Sequence, residues 1–411
     1  MPAPPGGLLD PATIQDPEPF RAWLRRHAPV YRVPGTTLHL VATWDLVTDV
    51  LARIDDFSSN LTALLCTDDA GRPMLFPMPP GAGIQTLATA DPPAHTLHRQ
   101  VVFPSLMERR MRAVEGSARA TARTLVAEAV AAGRVDVTAA LADPLPMTVL
   151  VDVMGLDLDR DRVTVADLVG WAFDGTELLA GTTTLARMAA LQSRAAEAGR
   201  FLADQLARAA PDPATGILGA VARGVADGAL DPEAAVGTLV ILLGAGGEST
   251  TSLIGSAIRR LATDPGLQDR LRAAPAEIPA FVEEVLRLES PFTGHYRTVR
   301  RATRLGTTDL TAGDTLLLLW ASANRDPAHV AAPDALRLDR PNPRAHLGFG
   351  RGVHHCVGAP LARMEARVAL EELLGATTRF ALDPERPPAY VASVFVRRHA
   401  HLDLTIEAAR T

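Results

Sequence analysis

The run from Asp231 to Thr263 constrains the fold most. Asp231 is a good N-cap and Pro232 suits the first helical position, so a helix starts there. No stop signal follows until Thr263, just before Asp264-Pro265. At 1.5 Å per residue such a helix spans roughly 45–50 Å, enough to cross a whole domain. Residues 236–243 are apolar almost all round, so other elements must enclose the helix. The chain of 411 residues is long enough to do so. In the middle of this rod stands the polar insertion Gly244-Ala245-Gly246-Gly247-Glu248-Ser249-Thr250-Thr251-Ser252. Each interior glycine costs roughly 1 kcal/mol against alanine. A kink, a widened turn or the close approach of a ligand is expected in return. The hydroxyls can bond back to freed carbonyls and form a groove for proton delivery. The plainer reading is a polar patch where the helix leaves the core.

Around this helix the pattern is mainly α with a minor β component. Helical periodicity runs from Leu106 to Arg223, broken near Asp143-Pro144 and Pro211. Further helices are expected from Ala276 to Leu288 and from Pro360 to Leu374, and strands at Thr37 to Ala42 and Thr315 to Trp320. Asp69 to Pro93, which includes RPMLFPMPPGAG, cannot hold a continuous helix because each proline removes a donor. A long irregular stretch in a compact chain reads as a functional loop. One domain over 1–411 is expected, its β part near 30–60, 292–320 and 385–407.

Composition excludes several chemistries. All 41 basic residues are arginine, so a Schiff base, a pyridoxal anchor and a Walker-A lysine are absent. A net charge of −6 gives no footprint for nucleic acid. Two cysteines, Cys66 and Cys356, cannot build a disulfide framework or a four-cysteine metal site. The N-terminal segment has neither the basic nor the apolar region of a signal peptide, and no uninterrupted apolar stretch is long enough for a membrane span. A cytoplasmic monomer with no membrane contact is the expectation.

The chemistry concentrates in HLGFGRGVHHCVGAPLAR, His346 to Arg363. Cys356 lies just before Pro360, a good first helical residue, and a thiol near a helix N-terminus is expected to have a lowered pKa. Gly350, Gly352 and Gly358 permit a tight backbone whose amides point at the sulfur and tune a bound metal. Taken alone, the cysteine could equally be a buried structural thiol, or a nucleophile with His354 or His355 as base.

Phe349, Gly350, Gly352, His354, Cys356 and Gly358 together resemble the haem-binding loop of the cytochrome P-450 monooxygenases. The resemblance extends in family order to Asp91-Pro-Pro-x-His95-x-x-x-Arg99, Glu284-x-x-Arg287, Arg297 and Ala323-Asn-Arg-Asp-Pro327. The insertion in the long helix resembles the family's oxygen-activation motif, with Ser249 where threonine is usual. Leu336 also departs, standing where phenylalanine is common before an arginine, here Arg340.

The resemblance implies the cytochrome P-450 fold, with haem b between the long helix and the helix after the cysteine loop. It implies Cys356 as the axial thiolate on iron, and His95, Arg99, Arg297 and His354 as partners of the haem propionates. Ala245, Phe349, Gly350 and Gly358 would also contact the haem. Glu248 and Ser249 would organise protonation, and Glu284 with Arg287 would form a structural ion pair. Serine lacks the β-methyl that fixes a threonine rotamer, which bears on how tightly electrons couple to product.

The implied reaction consumes O2 and two electrons to oxidise a small organic substrate. No flavin or nicotinamide signature accompanies the motifs, so a ferredoxin with its ferredoxin reductase is the expected donor. Arginines 109, 110, 112, 344, 351 and 363 are candidates for its docking patch. Substrate contacts are expected from 60–93, 160–190, Ala245 and the two segments holding Thr293, Gly294, His295 and Phe395, with His295 orienting a polar group. Secondary metabolism fits by analogy. The rivals are oxidative coupling or ring formation without oxygen insertion, a haem-thiolate sensor, and a haem-free cysteine hydrolase.

Overall fold

The computed structural model describes residues 2–78 and 85–409. The helices that position the site are α1 (Ala94–Val102), α2 (Glu108–Ala132), α3 (Pro144–Met154), α4 (Val165–Glu177), α5 (Leu185–Arg208), α6 (Pro232–Ala262), α7 (Ile278–Glu289) and α8 (Ala359–Ala376). The Asp231 side chain accepts from the Ala234 amide at 2.7 Å, so the start of α6 is capped as its sequence predicts. It packs against α3, α4, α5, α7 and α8 and carries the centre of the largest apolar core. By length and composition α6 could cross a bilayer, but here it is the central helix of a folded core.

Strands β1 (Val30–Arg32), β2 (Leu38–Val41), β3 (Phe57–Ser58), β7 (His295–Val299) and β8 (Thr315–Leu318) form one sheet in the order β1-β2-β8-β7-β3. Its β8 pairs parallel with β2 and antiparallel with β7, where Leu316 faces Arg297. A second sheet joins β6 (Arg134–Asp136), β9 (Thr377–Leu382) and β10 (Asp403–Ala408). The mainly helical expectation with a minor β part is met.

Two local expectations need correction. The stretch from Asp69 holds a strand: β4 (Ala63–Thr67) and β5 (Pro73–Pro77) form a hairpin in register from Ala63–Pro77 to Thr67–Pro73. Its two prolines sit at the strand ends, where a missing donor is tolerated. Residues 79–84 of that stretch lie outside the described residues. The second correction concerns α6, which is continuous through its glycines. A Cβ on Gly247 would meet Met147 Cε at 2.5 Å, and one on Gly246 would meet Leu150 Cδ2 at 3.1 Å. These two glycines let α3 approach; they do not widen a turn.

Below the sheet, α7 buries a carboxylate. Both Glu284 oxygens take the Arg287 guanidinium, at 2.7 and 2.9 Å. The Arg340 Nε adds a bond of 2.7 Å and the Arg337 amide one of 2.9 Å. Arg287 then donates to the carbonyls of Asn324, Pro333 and Ala335, so it ties α7 to the long loop before the cysteine. Breaking one partner of such a buried network costs about 3–5 kcal/mol. Glu284→Ala should therefore lower the unfolding free energy by that order, read as a lower denaturant midpoint at unchanged m. Arg340→Ala, which leaves the Glu284–Arg287 pair intact, should cost less.

Candidate functional site

The cysteine loop is built from its glycines upward. Gly350 and Gly352 hold φ of 66° and 74°, which side chains rarely adopt. The turn closes through Gly350 N to Leu347 O at 2.8 Å and Cys356 N to Phe349 O at 2.9 Å. Arg363 stacks over Phe349 at 4.5 Å and binds Glu283 at 2.6 and 3.1 Å, so α8 clamps the loop. The amides of Gly358 and Ala359 lie at the Cys356 sulfur and favour its ionised form. Burial nevertheless pushes the thiol up from its ordinary value, against these amides and the charges of Arg363 and Arg99. The lowered pKa expected from the helix terminus alone is not found; desolvation outweighs it.

A cationic cluster gathers beside the loop. The His95 and His354 rings lie 4.0 Å apart. Arg99 donates to His355 O at 2.7 Å, and the buried Arg297 donates to Tyr296 O at 2.7 Å. Ser59 Oγ lies 2.9 Å from His354 Nε2. Burial and mutual repulsion hold His354 down at about 2, its neighbours being Arg297, His95, His295 and Arg99. Burial lowers even Arg297 to about 10, opposed by Asp91. That carboxylate is itself occupied by Ser58, the Ser59 amide and Arg300. Among the described residues, then, α1, β7 and the cysteine loop bring five basic side chains together with one acid that is bound elsewhere. A buried set like this is suited to anionic groups supplied by a ligand.

On α6 the polar insertion divides by face. Ala245 is exposed and Ser249, one turn later, is partly so, while Gly247, Glu248 and Thr250 are buried. Ser249 Oγ donates to Ala245 O at 2.6 Å, the back-bonding expected of a helical hydroxyl. Glu248 is 1% exposed and both its oxygens are taken, one by Arg398 Nε at 2.7 Å and the other by Thr176 Oγ1. Burial pushes its carboxyl up to about 7 against the pull of Arg398. Thr251 donates to Ala142 O at 2.8 Å and Ser252 to Arg397 O at 2.6 Å.

A family profile for cytochrome P450 matches residues 220–390. "Cytochrome P450 144" of Mycobacterium tuberculosis is 40% identical over 96% of this chain and 90% of its own length. The chain belongs to the cytochrome P450 family. It shares 32% identity with "Cyclomarin C epoxidase CymV" of Salinispora arenicola over 87% of each. A structure of a mutant of P450 EryK in complex with erythromycin B superposes with a TM-score of 0.84, 28% identity and full coverage of both chains. Members of this family are oxidoreductases of monooxygenase type that bind haem b through a cysteine thiolate. Cys356 with its amide donors suits a metal-bound sulfur, and the basic cluster suits the two haem carboxylates, so the residues present in this P450 fit the group.

The substrate candidates fare differently. Thr293 spends its hydroxyl on Val394 O at 2.5 Å and its amide on Phe395 O at 2.8 Å. Gly294 is required by packing, since a Cβ there would meet Leu318 O at 2.2 Å. Phe395 is 3% exposed and stacks on Phe292 at 4.8 Å and Tyr296 at 6.3 Å. These contacts hold the segments 292–296 and 394–395 together. His295 is half-buried, within 3.5 Å of Arg297 Nη1 and edge-on to Phe395 at 5.9 Å, so it belongs to the basic cluster. Its ring is pushed down to about 4, which keeps it neutral.

Sequence reasoning missed Arg398, Thr176 and Ser59. A buried acid in an apolar helix demands a cationic partner. That rule says a partner exists but does not choose among 41 arginines. If Phe395 is a packing residue, Phe395→Ala should cost roughly 3–5 kcal/mol, read by chemical denaturation. Substrate affinity should fall only in proportion to the folded fraction.

Proposed function

We propose that this cytochrome P450 is a monooxygenase acting on a small organic substrate of secondary metabolism, with Cys356 as its axial ligand and an external ferredoxin system as donor. The observation that carries the residue assignment is the pairing of one sulfur, set at the amides of Gly358 and Ala359, with five basic side chains that have no free acid among the described residues. The relatives support the substrate class: one is named for epoxidation of cyclomarin C, and a structural neighbour holds erythromycin B.

When bound, the haem supplies the oxygen-activating chemistry, and a thiolate ligand favours O–O cleavage. The protein residues do the rest. Cys356 Sγ would hold the iron, with Gly358 and Ala359 N–H donors withdrawing charge from it. Phe349, Gly350 and Gly358 would shape the loop beneath the ring. His95, Arg99, Arg297 and His354 would bind the propionates, and His295 would add a neutral donor. Ala245 would leave room on α6 for the ring. Ser249 Oγ would hold and pass a proton on that face, while Glu248 would serve as the buried store behind it.

For electron delivery, Arg109, Arg112 and Arg351 are exposed near exposed apolar Met107 and Val353. Arg110 donates to Pro213 O at 2.9 Å and Arg363 is bound to Glu283, so these two contribute less to docking. An acidic ferredoxin suits the remaining arginines. The same reading places the enzyme in the cytoplasm beside that ferredoxin and its reductase.

The reduced protein under carbon monoxide should show the thiolate-ligated absorption band, and Cys356→Ala should abolish it. Retention of the band in that variant would overturn the assignment. Turnover in labelled dioxygen should place label in the product; an unlabelled product would favour oxidative coupling or ring formation. Ser249→Ala should lower product formed per electron pair several-fold, with Ser249→Thr restoring or exceeding the native yield. Charge reversal at Arg109, Arg112 and Arg351 should slow ferredoxin-supported reduction and flatten its salt dependence.

A further inference from the structure

Asp143 stands where a π-helical turn, Thr138–Ala142, runs into α3. Its amide donates to Thr138 O at 2.9 Å, which closes that turn. An aspartate leading a helix ordinarily turns its carboxylate onto the first amides. This one makes no capping bond, and its Oδ1 is buried without a partner. The carboxyl lies instead beside Thr251 of α6. Thr251 is three residues beyond Glu248, so both stand on one face of that helix.

The cation that bears on both acids is Arg398. Its Nε binds Glu248 Oε1 at 2.7 Å, its Nη1 donates to His399 O at 3.3 Å, and its charge also favours the ionised form of Asp143. The other charges that bear on the pair are acidic. Asp136 of β6 acts on Asp143, and Glu177 of α4 acts on Glu248. Both are engaged elsewhere: Asp136 accepts from the Thr138 and Leu402 amides, and Glu177 pairs with Arg187. One guanidinium therefore serves two interior carboxyls. With both ionised, the site would carry uncompensated negative charge next to two further acids, a costly state.

We propose that Asp143 and Glu248 share a single proton around Arg398, and that Asp143 is the positioning residue that returns a proton to Glu248. This rests on the reading of Glu248 and Ser249 as the proton path. The exchange balances simply. When Glu248 releases the shared proton toward Ser249, both carboxyls stand ionised; Asp143 then takes a proton from a solvent hydronium, which leaves as water, and passes it to Glu248, so one proton enters for each that leaves. No electron moves and only O–H bonds change. Burial pushes both carboxyls up to about 7, and the charge of Asp143 further raises Glu248, which agrees with a shared proton.

The test is an infrared pH titration of the haem-loaded protein, following the C=O band of protonated carboxyl groups. The wild type should show a band that titrates near neutrality. Asp143→Asn should move the remaining Glu248 step to lower pH, and Glu248→Gln should do the same to the Asp143 step, because each loses a like-charged neighbour. Thermal stability gives a second readout. A carboxyl with a raised folded pKa contributes fully below its unfolded value, 3.8 for Asp143 and 4.5 for Glu248, and the contribution is lost as pH rises to about 7. That loss should be smaller in Asp143→Asn. Unchanged titration in both variants would overturn the pair. If the steps shift as expected while Ser249→Ala leaves coupling intact, the shared proton stands and the relay through Ser249 falls. If Asp143→Asn does not fold, the Glu248→Gln titration decides alone.

Discussion

The structure depends on how α6 carries polar groups through an apolar core. A buried carboxylate or hydroxyl without a partner is expensive, and the buried ones of the polar insertion each meet a different neighbour. Glu248 reaches Arg398 and Thr176, Thr250 lies against Glu365 on α8, Thr251 reaches the carbonyl before α3, and Ser252 reaches Arg397 O. These bonds leave the helix in several directions and fix its rotation as well as its depth. Ala245 and Ser249 are left on the accessible face as a consequence. The glycines serve the same end, since Gly246 and Gly247 let α3 close in from the side.

A second constraint is electrostatic. The basic cluster beside the cysteine loop keeps its histidines neutral by burial and by repulsion from Arg297 and Arg99. Neutral imidazoles can still donate one hydrogen bond each, and the two arginines keep their charge. The cluster thus offers a mixture of cationic and neutral donors on a rigid frame of α1, β7 and the loop. Its rigidity is inherited from the Glu284–Arg287–Arg340 network, which ties α7 to the carbonyls of the loop preceding His346. Asn324 continues the same brace: its side-chain oxygen accepts from the Leu347 amide at 2.7 Å, and its nitrogen donates to Ser290 at 3.0 Å.

Much of this was legible in the chain because its signals are local. The cap at Asp231, the proline at 360 and the glycines at 350 and 352 each answer to a rule of backbone geometry within a few residues. The cysteine loop and the acid in α6 announced themselves by type and spacing. What sequence could not supply was partnership across the fold. Arg398 meets Glu248 over 150 positions of sequence, and Ser59 meets His354 over 295. Nothing in the Arg397-Arg398 doublet distinguishes the residue that stacks on Tyr390 from the one that stacks on Phe173. The hairpin at 63–77 was hidden for another reason. Its prolines read as breakers, and only the register shows that they fall at the strand ends.

The segments around 61–75, 179–184, 292–296 and 394–396 show why substrate choice is the least legible property of all. They are joined by backbone groups: Thr67 N to Thr183 O at 3.1 Å, Val394 N to Ala180 O at 2.8 Å, and Thr293 N to Phe395 O at 2.8 Å. Gly181 permits the crossing, since a Cβ there would lie 2.8 Å from Leu65 and 2.9 Å from Val394. Backbone bonds fix where these loops run without specifying which side chains they display. Residues such as Leu61, Leu75, Leu179 and Val394, partly buried along these segments, are not fixed by those backbone bonds. A fold held this way separates the chemistry lodged in α6 and the cysteine loop from segments whose course is set by backbone bonds.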